Sequence, residues 1–236
     1  MSNTAVSYTL AHVVIMPMML IAVYHWLRQW GSVPLALLGT MVMIAYLPLM
    51  FMIDYGIGLW SMTELLLLCA GLLLIKRPVP FAIVVILASL NRETAVLLPV
   101  AWFLWHFPTL KQGHGWQWPL LYFAIWAILF VGLRLVIGSR PPMFTFEETL
   151  SANIETLPRT LINAFFILPT TIFMFWGWRA SSPELKRLAV IIPLYVGICA
   201  VFALWNEVRL VLSLVPFTMP FFIKALEPTN HVPIHS

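Results

Sequence analysis

The segment FAIVVILASLNRETAVLLPVAWFLW, residues 81–105, places a polar cluster inside a long apolar run. Arg92 and Glu93 carry charge, and Asn91 and Thr94 flank them. A charged side chain inside a bilayer costs several kcal/mol, so such residues are first interpreted as functional and as having a partner. Adjacent residues on a helix point about 100° apart, so we expect Arg92 and Glu93 to reach groups on other segments or water.

The composition predicts an integral membrane protein. Hydrophobic residues make up 61% of the chain and charged residues only 9%, whereas about a quarter of a soluble domain is charged. Apolar runs fill the chain nearly from end to end, which predicts one membrane domain over residues 1–236.

Cys69 and Cys199 lie in apolar runs as small buried hydrophobes, and the histidines lack the spacing of metal ligands. Basic residues are dispersed, which argues against nucleic-acid binding.

The apolar runs predict an all-α fold, a polytopic transmembrane helix bundle. One crossing needs about 20 apolar residues, and counting on that basis gives about 8–9 membrane segments. Trp and Tyr stand at many of the run ends, as in the aromatic belts at membrane interfaces. The runs cover residues 5–27, 33–53, 57–75, 79–107, 118–138, 160–177, 187–205 and 208–226.

The run 79–107 allows two arrangements. It is either one long helix that crosses once, or a pair of half-length helices that meet at residues 91–94. A single crossing would move Arg179, Lys186 and Arg187 to the outside together in one short loop, against the positive-inside rule. The half-helix pair is therefore favoured, with the N-terminus extracytoplasmic and the C-terminus cytoplasmic in a bacterial inner (plasma) membrane. It places these basic residues on the cytoplasmic face: Arg28, Lys76, Arg77, Lys111, Arg179, Lys186, Arg187 and Lys224.

The same arrangement predicts a polar cavity on the extracytoplasmic side. A half-helix from Val79 to Leu90 rises only about 18 Å, so its tip stays below the far membrane surface. Non-helical backbone at that depth needs protein or a water-filled cavity around it. The loop 139–158 either lies in the interface and covers this cavity or is a plain connector. Other residues predicted on this face are Asp54, Glu64, Asn91, Arg92, Glu93, Arg134, Glu207 and Arg209.

Two interpretations of the Asn91–Glu93 cluster remain open on the residues alone. It could be a structural clamp between helices, because polar groups tie helices together in membranes. It could also contact substrate, because the guanidinium of Arg92 presents a bidentate fork that suits phosphate. In that case Glu93 would orient Arg92 or bind a sugar hydroxyl.

The remaining polar candidates have similar alternatives. Glu207 and Arg209 either snorkel at an interfacial turn or join the site, with Arg209 as a second headgroup contact. They could also pair with the cluster, Glu207 with Arg92 or Arg209 with Glu93. Glu64 is either satisfied by neighbouring groups or lines the cavity, and Asp54 is either a helix-end residue or part of the cavity wall.

The stretch LASLNRETAVLLP, residues 87–99, resembles bacterial polytopic membrane proteins that carry an L-N-R-E-T-A-x-x-L signature and a later E-x-R stretch like Glu207-Val-Arg209. These proteins resemble the GT-C superfamily of glycosyltransferases, which use polyprenyl-phosphate sugars on the extracytoplasmic face. The resemblance covers residues 33–110 and, weakly, 195–225. It implies substrate contacts from Asn91 and Arg92, together with Asp54, Glu207 and Arg209.

One departure from the GT-C pattern concerns catalysis. Those enzymes carry a catalytic carboxylate, as general base or metal ligand, in a large loop after the first helix, whereas the loop 28–32 is short and has no carboxylate. Either Glu64 or Glu93 takes that role, with a divalent metal ion as an optional cofactor, or the chain is a non-catalytic scaffold subunit of a membrane complex. A transporter is a third option, although no paired interrupted segments are evident. The expected partners are membrane lipids, a polyprenyl-phosphate sugar and partner membrane subunits.

Overall fold

The structure, a computed structural model, describes most of the chain. Side chains of residues 3–11, 46, 48–53, 137, 200–202 and 209–210 lie outside the described part, although their backbone lies within it. The described residues are 3–53, 59–137, 171–202 and 209–227, together with residues 151, 154, 155 and 168.

The described residues form helices and no strands, which confirms the predicted all-α class. A short 3-10 turn, Glu93–Val96, separates two of the helices, and residues 171–178 are helical as well. The helices are α1 (Asn3–Arg28), α2 (Val33–Ile53), α3 (Leu59–Leu73), α4 (Pro78–Asn91), α5 (Leu97–Lys111), α6 (Gln117–Ile137), α7 (Pro183–Leu188), α8 (Ile191–Phe202) and α9 (Arg209–Leu226).

Within the described residues, α6 is the one helix that is both long and apolar enough to cross a membrane. Only 11% of its stretch Gln117–Val136 is buried inside the protein, so most of its apolar surface faces outward. α3, α4 and α5 have 15, 14 and 15 residues, fewer than the roughly 20 that a perpendicular crossing needs. The larger number of crossings stays a prediction.

The predicted interruption of the run 79–107 is confirmed. α4 begins with Pro78, whose missing N–H is harmless in the first turn of a helix. It ends at Asn91, because Arg92 has an extended backbone (φ −156°, ψ 157°) that cannot continue a helix. The 3-10 turn then leads into α5. The polar cluster thus lies where the α-helix of the run is interrupted, with Arg92 extended and Glu93 and Thr94 in the 3-10 turn.

α4 and α5 run in opposite directions and form a hairpin. The Arg92 end of α4 lies beside the first half of α3, where Arg92 meets Glu64. Further along α5, the ring of Trp105 lies 5.7 Å from Nζ of Lys76, a residue that precedes α4. The α4–α5 pair therefore enters and leaves at the same end of the bundle, as the half-helix arrangement requires. We call residues Asn91–Thr94 the tip of this hairpin.

The core is apolar and is formed mainly where α1, α3 and α9 meet. One of its polar contacts follows from the proline pattern of α9. Pro220 has no N–H, so the carbonyl of Pro216 lacks its partner within the helix. The indole N–H of the buried Trp26 donates to that oxygen at 2.7 Å. The hydrogen bond ties α1 to α9 and satisfies a carbonyl that is costly to bury alone.

Candidate functional site

Glu64 is the centre of the polar site. It lies on α3 with 5% of its surface exposed, and its carboxylate accepts three hydrogen bonds. Nη1 of Arg92 donates to Oε2 at 2.8 Å, forming a salt bridge. Oγ1 of Thr94 and Oγ of Ser213 donate to Oε1 at 2.6 Å and 2.5 Å. One carboxylate thus joins α3, the hairpin tip and α9.

The sequence alone does not decide which residue pairs with Arg92. Pairing with Glu207 was one expectation, but the described partner is Glu64. The guanidinium keeps most of its donors free, because it has five N–H groups and the structure gives it a single acceptor among the described residues. Its side chain is 17% exposed, so it is partly accessible from outside the bundle.

Asn91 and Glu93 have different surroundings from Arg92. Nδ2 of Asn91 donates to the backbone oxygen of Trp60 at 3.0 Å, which holds the tip against the start of α3. Oδ1 of Asn91 is buried and has no hydrogen-bond partner among the described residues. The Glu93 side chain is exposed and makes no ion pair or hydrogen bond within the described part of the chain. Glu93 is therefore the free carboxylate of the tip.

The hairpin tip packs beside the middle of α6, not beside either of its ends. The indole N–H of Trp126, close to the midpoint of α6, donates to the backbone oxygen of Glu93 at 3.1 Å. α6 continues from Trp126 to Ile137, about 16 Å at 1.5 Å per residue. Leu135 and Val136 in this extension are 79% and 86% exposed. The polar tip is thus placed well below the far end of the outward-facing apolar helix.

Several predicted site residues lie wholly or partly outside the described part of the chain. Asp54 and Glu207 lie outside the described residues, and Arg209 is the first residue of α9 but its side chain is outside them. Of the loop 139–158, the described residues include Ser151 and Glu155, where the serine hydroxyl donates to the carboxylate at 3.2 Å. The shared cavity wall therefore stays a prediction for all of these residues.

Ser213 is a site residue that the sequence analysis missed. It is 1% exposed and hydrogen bonds to Glu64 across 149 positions of sequence. A lone serine in an apolar helix more often donates to a carbonyl of its own helix, as Ser89 does to the oxygen of Val85 at 2.7 Å. The sequence therefore contains no signal that separates Ser213 from such a residue.

The described residues offer no ready metal centre. No three His, Cys, Asp or Glu residues among them come together as ligands for an ion. At the tip, Glu64 already accepts from Arg92, Thr94 and Ser213, so the remaining oxygen ligands are the Glu93 carboxylate and the buried Oδ1 of Asn91. The divalent ion that the GT-C resemblance allows has no ligand set in this part of the chain.

A cavity of about 560 Å³ lies at the opposite end of the bundle from the tip. It is framed by the turns that follow α1 and α3, by α5 and by the start of α7. Its position differs from that of the extracytoplasmic cavity that the sequence predicts around Arg92. The lining residues are Gln29, Trp30, Leu73, Ile75, Lys76, Trp105, Ser182 and Glu184.

No protein-family model matches the chain, and no curated protein or solved structure matches it. In the part of the chain that the structure describes, the fold is helical and contains an interrupted helix pair, whose tip carries the free carboxylate of Glu93 and an arginine, Arg92, that forms a partly buried ion pair with Glu64 of α3.

Proposed function

We propose that this chain is a multi-pass membrane protein that binds a polyprenyl-phosphate sugar at the hairpin tip, on the extracytoplasmic side. The arrangement of charge supports this orientation. The turns and helix ends opposite the tip carry Lys76, Arg77, Lys111 and Arg187, as the positive-inside rule expects of a cytoplasmic face. The α4–α5 pair then enters from the cytoplasm and returns to it, with the tip inside the bilayer.

The observation that carries the proposal is the contrast between Arg92 and Glu93. Arg92 is held by Glu64 at 2.8 Å with donors to spare, while Glu93 beside it is exposed and unpaired among the described residues. A fixed guanidinium suits a phosphate, because it offers parallel N–H donors in a rigid plane. Ordering Arg92 before the ligand arrives lowers the entropy cost of binding.

In this proposal Glu93 is the catalytic carboxylate and Glu64 is a positioning residue. Three donors hold the carboxylate of Glu64 in place, and that carboxylate in turn holds the guanidinium of Arg92. Glu93 would take the proton of an acceptor hydroxyl as that oxygen attacks the anomeric carbon of the sugar. The bond from the anomeric carbon to the phosphate oxygen breaks, and Arg92 stabilises the charge on the departing polyprenyl phosphate.

A specific observation favours a second candidate, a scaffold subunit. Glu64 connects α3, the tip and α9, which is what a structural clamp would do. The outward face of α6 is apolar and exposed, with Ile128 at 69% and Leu135 at 79%. A partner helix or lipid could cover that face equally well. In the scaffold, Arg92 would serve assembly and no sugar would be transferred.

Binding of polyprenyl phosphate by the purified protein tests the first candidate. Native mass spectrometry from detergent would compare polyprenyl phosphate with the uncharged polyprenol. We expect the phosphate to be retained preferentially, and Arg92→Gln to weaken retention about tenfold. Arg77→Gln is the matched control, because it removes an exposed arginine at the opposite end of the bundle. Glu93→Gln should leave phosphate binding intact and abolish transfer.

Equal retention of phosphate and alcohol would overturn the proposal. The scaffold would then predict a stable membrane partner that co-purifies with the wild-type chain and is lost in Arg92→Gln. A chain that purifies without such a partner would contradict the scaffold.

A further inference from the structure

The cavity opposite the tip is lined by one basic and one acidic side chain, Lys76 and Glu184. We propose that it binds the headgroup of a zwitterionic phospholipid with a primary amine, phosphatidylethanolamine, with Lys76 on the phosphate and Glu184 on the ammonium. This inference shares with the proposed function only the membrane location of the chain. It concerns other residues at the other end of the bundle, and it holds whether or not the tip binds a sugar lipid.

The cavity is built from segments that the fold brings together at one end. Gln29 and Trp30 come from the turn after α1, and Lys76 comes from the turn between α3 and α4. Trp105 stands on α5, and Glu184 stands in the first turn of α7. Its volume of about 560 Å³ lies within the range of sites that hold small ligands.

Lys76 and Glu184 line the cavity without pairing with each other. Nζ of Lys76 lies 5.7 Å from the centroid of the Trp105 ring and has no carboxylate partner among the described residues. Oε1 of Glu184 meets Nη2 of Arg187 at a long 3.4 Å, and the Glu184 side chain stays 40% exposed. Both charges are therefore open to a ligand that carries the opposite charge at each end.

Glu184 is held in its ionised form. Backbone hydrogen bonding in its own turn, the Ser182 hydroxyl and the nearby Arg187 all lower the pKa of its carboxyl below the usual value. A carboxylate on the cavity wall repels a purely anionic headgroup, such as phosphatidylglycerol, and attracts an ammonium. A primary ammonium also donates hydrogen bonds to carboxylate oxygens, which the trimethylammonium of a choline headgroup cannot do.

The remaining walls suit the uncharged part of a lipid. Leu73 and Ile75 offer apolar surface to the glycerol and the first acyl carbons, and the rings of Trp30 and Trp105 pack edge to face at 6.1 Å. The indole N–H of Trp30 is buried and has no acceptor among the described residues. An unpaired buried donor is costly, and a headgroup oxygen would relieve it when the ring turns toward the cavity.

The test uses the full chain, purified in detergent and freed of lipid. Micelles containing phosphatidylethanolamine, phosphatidylglycerol or phosphatidylcholine would be offered in turn, and bound lipid would be counted by native mass spectrometry. We expect the ethanolamine lipid to bind best. Lys76→Gln should weaken it about tenfold, and Glu184→Gln should shift the preference toward phosphatidylglycerol. Lys111→Gln and Glu227→Gln are matched controls, because neither residue lines the cavity.

Two further variants separate recognition from folding. Lys76→Arg and Glu184→Asp keep the charges and should retain the preference. Displacement of the lipid by soluble phosphoethanolamine would show that the headgroup alone is recognised, and retention against it would assign the site to the whole lipid. Equal binding of the three lipids, or equal loss of all three in Glu184→Gln, would overturn the proposal. Retention of polyprenyl phosphate should not respond to Lys76→Gln.

Discussion

Glu64 and Arg92 lie 28 positions apart in the chain and form a salt bridge of 2.8 Å between α3 and the hairpin tip. The carboxylate is almost completely buried, and it also accepts hydrogen bonds from Thr94 and Ser213. Opposite charges that are buried together stabilise a structure only when their other hydrogen-bonding groups are satisfied. The carboxylate of Glu64 meets that condition. Its removal should lower the stability of the protein, because three donors would lose their acceptor at once.

The first prediction concerns the coupling of this pair. Glu64→Ala leaves Arg92, Thr94 and Ser213 without their acceptor and should destabilise the protein by about 3–5 kcal/mol. Arg92→Ala should also destabilise the protein by several kcal/mol, because Thr94 and Ser213 still hydrogen bond to Glu64 but its buried charge loses its counterion. The double variant should be less destabilised than the sum, by about 1–3 kcal/mol. Thermal unfolding in detergent measures all three. Additive effects would show that the pair contributes no coupling energy.

Removal of the Ser213 hydroxyl is the second prediction. Ser213→Ala deletes one donor to Glu64 and should lower the free energy of unfolding by about 1 kcal/mol. Ser89→Ala is the matched control, because that buried hydroxyl donates only within its own helix, to the oxygen of Val85. We expect the control to change stability less. A larger effect of Ser89→Ala would argue against a special role for the Glu64 network.

The break in the long apolar run was predictable from sequence, and its partners were not. Asn91, Arg92 and Glu93 are too polar for a continuous apolar helix, so the position of the tip could be inferred. The return of α5 to the same end as the start of α4 was predicted from the charges of the loops along the whole chain, chiefly Arg179, Lys186 and Arg187. Glu64 was a candidate as a lone carboxylate, but its pairing with Arg92 depends on how α3 packs against α4. Which residues of α3 lie beside which residues of α4 is set by tertiary packing. The apolar runs have similar compositions, so their sequences do not show this alignment.

The contacts that α9 makes with the other helices could not be predicted from the sequence. The missing N–H of Pro220 shows that the Pro216 carbonyl needs a donor, but many side chains could have supplied it, and Trp26 does so from 190 positions away. Ser213 gave no signal for the same reason. The cavity opposite the tip was not predicted either. Gln29, Lys76 and Glu184 are far apart in sequence, and they line one cavity only because the turn after α1, the turn before α4 and the start of α7 pack together.

Close backbone packing at Gly177 gives the third prediction. A Cβ on Gly177 would meet the carbonyl oxygen of Phe221 on α9, and it would lie 3.1 Å from the backbone nitrogen of Ala225. Backbone atoms cannot give way as a flexible side chain can, so Gly177→Ala should destabilise the protein by about 1–3 kcal/mol. Gly132→Ala is the control, because nothing lies within 4 Å of its added Cβ. That change should stabilise α6 by about 0.5–1 kcal/mol, and both effects are measured by thermal unfolding.

Sidedness of the α4–α5 hairpin is the last prediction. In a background with Cys69→Ala and Cys199→Ala, Lys76→Cys and Lys111→Cys place single thiols at the two outer ends of the hairpin. A charged thiol reagent that cannot cross the membrane should label both thiols from the same side, the cytoplasmic one. Glu93→Cys, at the exposed tip position, should react only from the opposite side, because the tip opens to the extracytoplasmic cavity in the proposed orientation. Right-side-out and inverted vesicles distinguish the two sides. Labelling of positions 76 and 111 from opposite sides would mean that the pair crosses the membrane, and it would remove the reason for placing Arg92 within the bilayer.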